Sequence, residues 1–523
     1  MSQKQPNILF IMFDQMTAKA LPCYGHPVVK APNISRLAEE GVVFENAYCN
    51  SPLCAPSRFS MMSGQLPSRI GAYDNAALFP EDIPTIAHYL RDEGYYTCLS
   101  GKMHFVGADQ RHGFEDRLTT DIYPGDYGWT PDWDNFERRP TWYHNMLSVV
   151  QSGQCVTSNQ IDFDEEVAFH SIRKLNKLAR SDDDRPFFLL SSFTHPHDPF
   201  AITKEFWDLY SDDEIDMPAV PQLPFEELDP HCQRIHHVCA MGEYEQTPER
   251  IRDSRHAYYS EISYVDAKVG QLMDALEKSG LKDDTIVVIT SDHGEMLGER
   301  GMWFKMSHFE WASRVPMIIH APARFAPRRV SQPVSLVDLL PTLTDIATGE
   351  KDPVFSDAVD GNSLLSLLTG GKEDEDATVQ AEILCEGAVS PVVMLRKGPY
   401  KYIYCDRDPE QLYHLEEDPH EVMNLAGLPD FEQVCARFRS EAAQKWDTVA
   451  LRKKVVSSQC RRRMVDRSMR KGRFTPWDFQ PFEDATEKYM RSHLDLNVLE
   501  RKARFPSPDI PEPDGPLGKR QEG

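Results

Sequence analysis

Residues 7–15 read NILFIMFDQ. Six consecutive apolar side chains, Ile8 to Phe13, run up to an aspartate, and a run so short and so uniformly apolar predicts a strand buried on both faces. It is far shorter than the ~20 residues a membrane helix needs, and the single lysine ahead of it is not the flank of a secretory leader. Similar runs recur at Tyr96–Leu99, Phe187–Phe193, Thr285–Thr290 and Pro316–Ile319. Between them lie segments with helical spacing of apolar residues: Asn33–Glu40, Ile83–Glu93, Glu165–Leu178 and Arg252–Ser279. Strands alternating with helices predict an α/β fold, a large mixed and mostly parallel sheet flanked by helices.

Chemically useful residues stand directly behind these runs. Asp14 follows the first, Lys102 and His104 the second, His195 and His197 the third, Asp292 and His293 the fourth. In an open α/β sheet the carboxyl ends of the strands form the ligand crevice, so these residues are expected to converge there.

The remaining chain is organised around that core. A composition shift at residues 370–378 places a boundary near 375, giving a catalytic domain over 1–375. Short strands at Ile383–Cys385, Val392–Arg396 and Tyr400–Tyr404 predict a smaller α+β subdomain over 376–450. Beyond it, residues 451–523 form an extended tail, basic at first and then rich in aromatics (Phe474, Trp477, Phe479, Phe482). Such aromatics suggest docking on another surface, and so a homo-oligomer. The basic stretch reads as a solvated helix face or as one docked on the acidic globule.

With 57 basic and 82 acidic residues the net charge is −25, which argues against a nucleic-acid partner. No apolar run suggests a membrane partner, and the expected location is the cytoplasm. The 11 cysteines are scattered without a C-x-x-C pair, so neither a disulfide framework nor a zinc knuckle is indicated.

Asp14, Asp292 and His293 offer hard oxygen donors with one imidazole, a set suited to Ca²⁺ or Mg²⁺; taken singly, each aspartate also reads as a helix cap. The segment Ser51–Arg58 places Cys54 at a predicted helix start, where an anion is favoured and Arg58 supplies a planar donor fork.

Cys54-Ala55-Pro56-Ser57-Arg58 resembles the C-x-P-S-R signature of type I sulfatases, members of the alkaline phosphatase superfamily in which this cysteine is oxidised to formylglycine. The resemblance extends through Gly101-Lys102-Met103-His104, Thr194-His195-Pro196-His197, Ser291-Asp292-His293-Gly294, Phe304-Lys305 and residues 412–426, LYHLEEDPHEVMNLA. Residues 94–129, 142–145, 192–199 and 296–306 look particularly like choline sulfatases. The resemblance implies an alkaline-phosphatase-like fold and hydrolysis of a small sulfate monoester, choline sulfate above all, by a metal-bound formylglycine hydrate. It implies a maturation enzyme that generates formylglycine, and one divalent cation, usually Ca²⁺.

By motif position, Asp14, Cys54, Asp292 and His293 would hold the metal. Arg58 would steady the modified residue, Lys102 and Lys305 would neutralise sulfate oxygens, His104 would act as base, and His197, rather than His195, would protonate the leaving alcohol. Gln15 stands where many members carry a second aspartate, either as an amide ligand or behind the ligands. A quaternary ammonium cannot donate hydrogen bonds, so its pocket needs aromatic faces and carboxylates. Tyr123, Trp129, Trp142, Tyr143, His144, Glu386 and Asp495 are the candidates, Asp495 through a tail that in the family reaches a neighbouring subunit. A phosphonate monoester or phosphodiester hydrolase of the same superfamily, or a binding protein that never forms the aldehyde, are the alternatives.

Overall fold

The computed structural model of the protein describes residues 4–123, 125–137, 144, 146–349 and 353–473. Its centre is an eight-stranded sheet built from β1 (Asn7–Phe13), β2 (Val42–Phe44), β3 (Tyr96–Gly101), β4 (Asp116–Arg117), β5 (Phe187–Ser192), β6 (Thr285–Ser291), β7 (Met317–His320) and β8 (Arg328–Val330), in the order β8-β2-β7-β6-β1-β5-β3-β4. β1 lies parallel to both β5 and β6, and only β7 runs antiparallel to its neighbours. The expected α/β class with a mixed, mostly parallel sheet is what the chain forms.

The uniform apolarity of β1 has a direct cause. Ile8, Phe10 and Met12 enter one core cluster while Leu9, Ile11 and Phe13 enter the other, because successive side chains of a strand point to opposite faces. Both faces are covered. On one, α3 (Asn159–Leu178) packs beside α4 (Pro248–Lys278), with α1 (Pro32–Glu40) on α4; on the other lie α2 (Cys54–Ser63) and α5 (Leu339–Thr348). Each fully buried side chain of this kind contributes roughly 1.5–3 kcal/mol.

Several element boundaries differ from the sequence reading. α3 begins at Asn159, six residues before Glu165, because the Ser158 hydroxyl accepts from Ile161 N at 3.2 Å and starts the helix in a polar turn. The helix expected from Ile83 begins at Ile86, after Pro84, with Thr85 as its cap. The strand expected at Ile383–Cys385 is β9 (Thr378–Ile383), which pairs antiparallel with β10 (Val392–Lys397); β11 (Tyr400–Tyr404) and β12 (Gln411–His414) complete that second sheet.

α6 (Glu432–Lys445) packs on this second sheet and α7 (Thr448–Met469) follows, capped by Asp447. Lys401 of β11 ties the second sheet to the main body: its buried ammonium lies 2.7 Å from Glu310 and 2.8 Å from Glu421. α7 carries the basic run back across the main body, pairing Arg452 with Asp134 and Arg463 with Asp132. Among the described residues no helix is long and apolar enough to cross a membrane. The aromatics Phe474, Trp477, Phe479 and Phe482 lie outside the described residues.

Candidate active site

Asp14 leaves the end of β1 and Asp292 with His293 leaves the end of the adjacent β6, so the parallel pairing of these strands brings both carboxylates to one edge. The backbone N–H of Gln15 donates to Asp292 Oδ1 at 3.0 Å and fixes that carboxylate. Cys54 is the first residue of α2 and is 2% exposed. Asn75 Oδ1 accepts from Ala55 N at 3.0 Å, satisfying a donor of the first helical turn.

The carboxylates of Asp14 and Asp292, the sulfur of Cys54 and the imidazole of His293 offer donor atoms within 4.8 Å of one another, all buried. His293 Nδ1 donates to Gly294 O at 3.0 Å, which leaves the Nε2 lone pair directed at Cys54 Sγ, 3.3 Å away. Two carboxylates, one imidazole with its tautomer fixed and one further donor fit a hard divalent cation.

Arg58 sits beneath this cluster, fully buried. Its Nε donates to Asp292 Oδ2 at 2.8 Å, its Nη2 lies 3.3 Å from Asp14 Oδ2, and its Nη1 donates to Lys102 O and Ser192 Oγ. Lys102 reaches the other side: its ammonium contacts Asp14 Oδ2 and lies 3.7 Å from Cys54 Sγ. The turn that aims it needs Gly101 at φ 107°, where a Cβ would stand 1.9 Å from Ser192 O.

These charges set the ionisation of the centre. Burial and the neighbouring sulfur push Asp14 up, but Lys102, His197 and Arg58 outweigh them and hold it down at about 2. Burial pushes the Cys54 thiol up as well, and Lys102, Lys305 and His293 hold it well below the ordinary thiol range.

His104 adopts φ 61°, a backbone state held by Asp121, whose Oδ2 accepts from Met103 N and His104 N at 3.0 and 2.8 Å. Its Nε2 donates to Asn75 O at 3.2 Å, so Nδ1 carries the lone pair; Nδ1 is buried and has no hydrogen-bond partner among the described residues.

His197 Nδ1 donates to Asp198 O at 2.6 Å, and its Nε2 lies 3.0 Å from Lys305 Nζ. His195 is placed differently. Its Nδ1 is held by Asp164 Oδ2 at 2.7 Å and its ring meets Tyr264 edge-on. Gln15 Oε1 accepts from Lys305, while its Nε2 donates to Glu295 at 2.5 Å and to Asp198 at 3.4 Å.

Four of the pocket candidates surround this centre. Trp129 meets His104 edge-on at 5.7 Å. His144 stacks on Phe304 at 4.8 Å, lies 5.6 Å from the His197 ring, and is held below the usual histidine range by burial and by Lys305. Tyr123 lies under the Lys102 ammonium, 4.6 Å from its ring centroid, and 5.4 Å from His197. Glu386 is buried with Oε2 unpartnered among the described residues, and burial followed by the nearby Asp74 pushes it up to about 8. Trp142, Tyr143 and Asp495 lie outside the described residues.

Asn75, Asp121 and Asp198 are supporting residues that the sequence reading did not single out. Asp198 was visible inside THPHDP. It takes Ser148 Oγ at 2.8 Å and flanks both His144 and His197 at 3.5 and 3.3 Å. Asn75 and Asp121 follow no strand and belong to no spacing pattern.

Comparison with known proteins identifies the family and the fold. A model of the sulfatase family matches residues 6–349, one of the choline sulfatase enzyme C terminal matches residues 453–505, and one of the N-sulphoglucosamine sulphohydrolase C-terminal region matches residues 298–447. The chain is 47% identical over 513 residues to the choline-sulfatase of Rhizobium meliloti (strain 1021), covering 97% of this chain and 99% of that relative. Among solved structures it resembles the phosphonate monoester hydrolase of Agrobacterium radiobacter, with TM-score 0.66, 22% identity, and 86% and 96% of the two chains covered. A putative sulfatase from Bacteroides thetaiotaomicron gives TM-score 0.65, 24% identity, and 87% and 94% covered. At these identities the two structures speak for the fold alone.

Proposed function

The chain belongs to the sulfatase family and is a sulfuric ester hydrolase, and we propose that its substrate is choline sulfate, cleaved to choline and inorganic sulfate. The observation that carries this reading is the end-to-end similarity to a choline-sulfatase, which includes a C-terminal segment of that type as well as the catalytic domain.

Under this reading Asp14, Asp292, His293 and the residue at position 54 would hold one divalent cation, Ca²⁺ or Mg²⁺, which would act there as a Lewis acid. Formylglycine, formed from Cys54 by a separate maturation enzyme, would supply an oxygen nucleophile in place of the thiol. Arg58 keeps both ligand carboxylates in register, Nε on Asp292 and Nη2 beside Asp14. Lys102 and Lys305 flank the place above position 54 where a sulfate would lie, and their buried charges neutralise its oxygens as the bond to the alcohol breaks.

His197 faces the same place through Nε2, and with its Nδ1 hydrogen committed to the Asp198 carbonyl, the doubly protonated ring can pass its Nε2 proton to the leaving oxygen and return to the neutral form. His104 has the complementary arrangement: with Nε2 committed to Asn75 O, its Nδ1 lone pair is the base for sulfate release. Trp129, Tyr123 and His144 present faces to the trimethylammonium group, and Glu386 supplies the carboxyl. Asp495 joins this pocket from the tail of a neighbouring subunit in a homo-oligomer, and the enzyme works in the cytoplasm.

The test is a substrate panel run on protein co-produced with a formylglycine-generating enzyme: choline sulfate, an aryl sulfate and a phenylphosphonate ester. The reading expects the largest kcat/KM for choline sulfate. Preferential turnover of the phosphonate ester would move the assignment to that neighbouring chemistry.

A further inference from the structure

α7 lies far from the catalytic strands in sequence, yet it ends one side chain away from their site. Arg462 forms a two-point ion pair with Asp74, Nη1 to Oδ1 at 2.6 Å and Nη2 to Oδ2 at 2.7 Å, across 388 positions of sequence. The Asp74 side chain is fully buried and that of Arg462 is 9% exposed. Charged groups are rarely placed this deep without a paired role, since a buried ion pair is an indifferent stabiliser compared with an apolar contact.

The pair acts on a short loop. Asp74 Oδ1 also accepts from Ala76 N at 3.0 Å, and Asp74 O accepts from Ala77 N at 3.0 Å, so the carboxylate organises its own turn. The next residue, Asn75, makes two contacts with the centre. Its side chain accepts from Ala55 N, one residue along from Cys54, and its carbonyl accepts from His104 Nε2. Gly125 closes over the second of these: a Cβ there would stand 3.0 Å from both Asn75 O and His104 Nε2.

The chemical consequence concerns one proton. A neutral imidazole carries its hydrogen on one nitrogen only. While Asn75 O receives the Nε2 hydrogen, Nδ1 of His104 is free to act as a base; if that carbonyl moves away, the hydrogen is no longer held on Nε2. The same α7 also braces the loop that carries Trp129, through Gln459 Oε1, which accepts from Trp133 N at 3.1 Å.

We infer that Arg462 is a positioning residue for the hydrolytic reaction. From the C-terminal helix, through Asp74, it fixes the Asn75 carbonyl that sets the His104 tautomer, and the Asn75 side chain that anchors the first turn behind Cys54. The inference rests on the proposed sulfatase chemistry, in which His104 acts at sulfate release, after the alcohol has left. It makes the segment matched as a choline-sulfatase C terminus part of the catalytic support as well as an appendage.

The experiment uses full-length, formylglycine-containing protein with Arg462→Gln, Arg462→Lys, Asp74→Asn and the double variant Asp74→Asn/Arg462→Gln. Turnover is followed on p-nitrophenyl sulfate by rapid mixing, with sulfate and nitrophenolate measured separately. Each single neutralising variant is expected to lower kcat about tenfold and to lower KM along with it, so that kcat/KM changes far less, because slowing the step after alcohol release acts on both alike. The double variant should fall no lower than the poorer single one, because both remove the same link. Arg462→Lys should recover only part, since lysine lacks the two-point fork.

In the Arg462→Gln variant the first equivalent of nitrophenolate should run ahead of sulfate, because the later step, which depends on the His104 tautomer, is slowed most. A helix needed for folding alone would lower both products together and in step with the denaturation midpoint. That result, additive losses in the double variant, or unchanged kcat would overturn the inference. Inactivity of the formylglycine-containing protein that carries none of these substitutions would instead fall on the sulfatase reading itself.

Discussion

Glu386 offers a quantitative test of how the pocket is built. It is 4% exposed, one carboxyl oxygen has no hydrogen-bond partner among the described residues, and burial raises it from 4.5 to about 8. Below pH 4.5 the group is protonated in both the folded and the unfolded chain and costs nothing. Between 4.5 and about 8 the unfolded chain has released the proton while the folded one keeps it. The unfolded state therefore binds fewer protons, and stability falls as pH rises through this window. At ~1.36 kcal/mol per pH unit the whole interval corresponds to up to about 5 kcal/mol.

Glu386→Gln removes the titration while keeping the shape. Urea unfolding of the two proteins at closely spaced pH values is expected to give curves that coincide in shape below pH 4.5. Through the window the original protein should then lose stability relative to the variant, and the difference should level off above pH 8. Parallel curves from pH 4 to 9 would refute the reasoning, because they would mean that Glu386 is ionised in the folded protein, paired or solvated.

Other substitutions probe the centre itself. Among the described residues, Arg58→Ala takes the only ion-paired guanidinium from Asp292 and one of two cations from Asp14, both buried, and should cost about 3–5 kcal/mol in a chelator; saturating Ca²⁺, by binding the folded form, should restore part of the loss in urea unfolding. His197→Ala should lower kcat on choline sulfate by about 10²–10⁴-fold; on an aryl sulfate with an acidic phenol the loss should be at least tenfold smaller, as steady-state kinetics with the two substrates would show. Trp129→Ala should raise KM for choline sulfate by about 2- to 30-fold, the equivalent of one cation–π contact of ~0.5–2 kcal/mol, and leave KM for an uncharged sulfate ester nearly unchanged.

Much of this architecture was legible because strand ends carry the chemistry. NILFIMFDQ and TIVVITSDHG each pair an apolar run with residues of the candidate metal cluster, and their parallel pairing places Asp14 beside Asp292 and His293 without any further folding information. Cys54 and Arg58 were legible from a contiguous signature. What stayed hidden lies off the strand ends. Asp121 grips the backbone of His104 from a loop, Asn75 serves two catalytic elements through one side chain and one carbonyl, and Arg462 arrives from the far end of the sequence. Single contacts between distant loops leave no periodicity and no local motif, so only the assembled fold displays them. Helix starts were misplaced for a related reason: the first turn of α3 is polar, and its signal is the Ser158 cap rather than the apolar spacing that follows.

The most direct test of the central claim links the chemical state of position 54 to turnover. Protein prepared with graded amounts of a formylglycine-generating enzyme is digested, the fraction of the Cys54 peptide converted to the aldehyde is read by mass, and sulfate release from choline sulfate is measured on each preparation. The account predicts a rate proportional to the converted fraction, extrapolating to zero for unconverted protein and for Cys54→Ala. A rate independent of conversion, or fully converted and metal-loaded protein that releases no sulfate from choline sulfate, would contradict it.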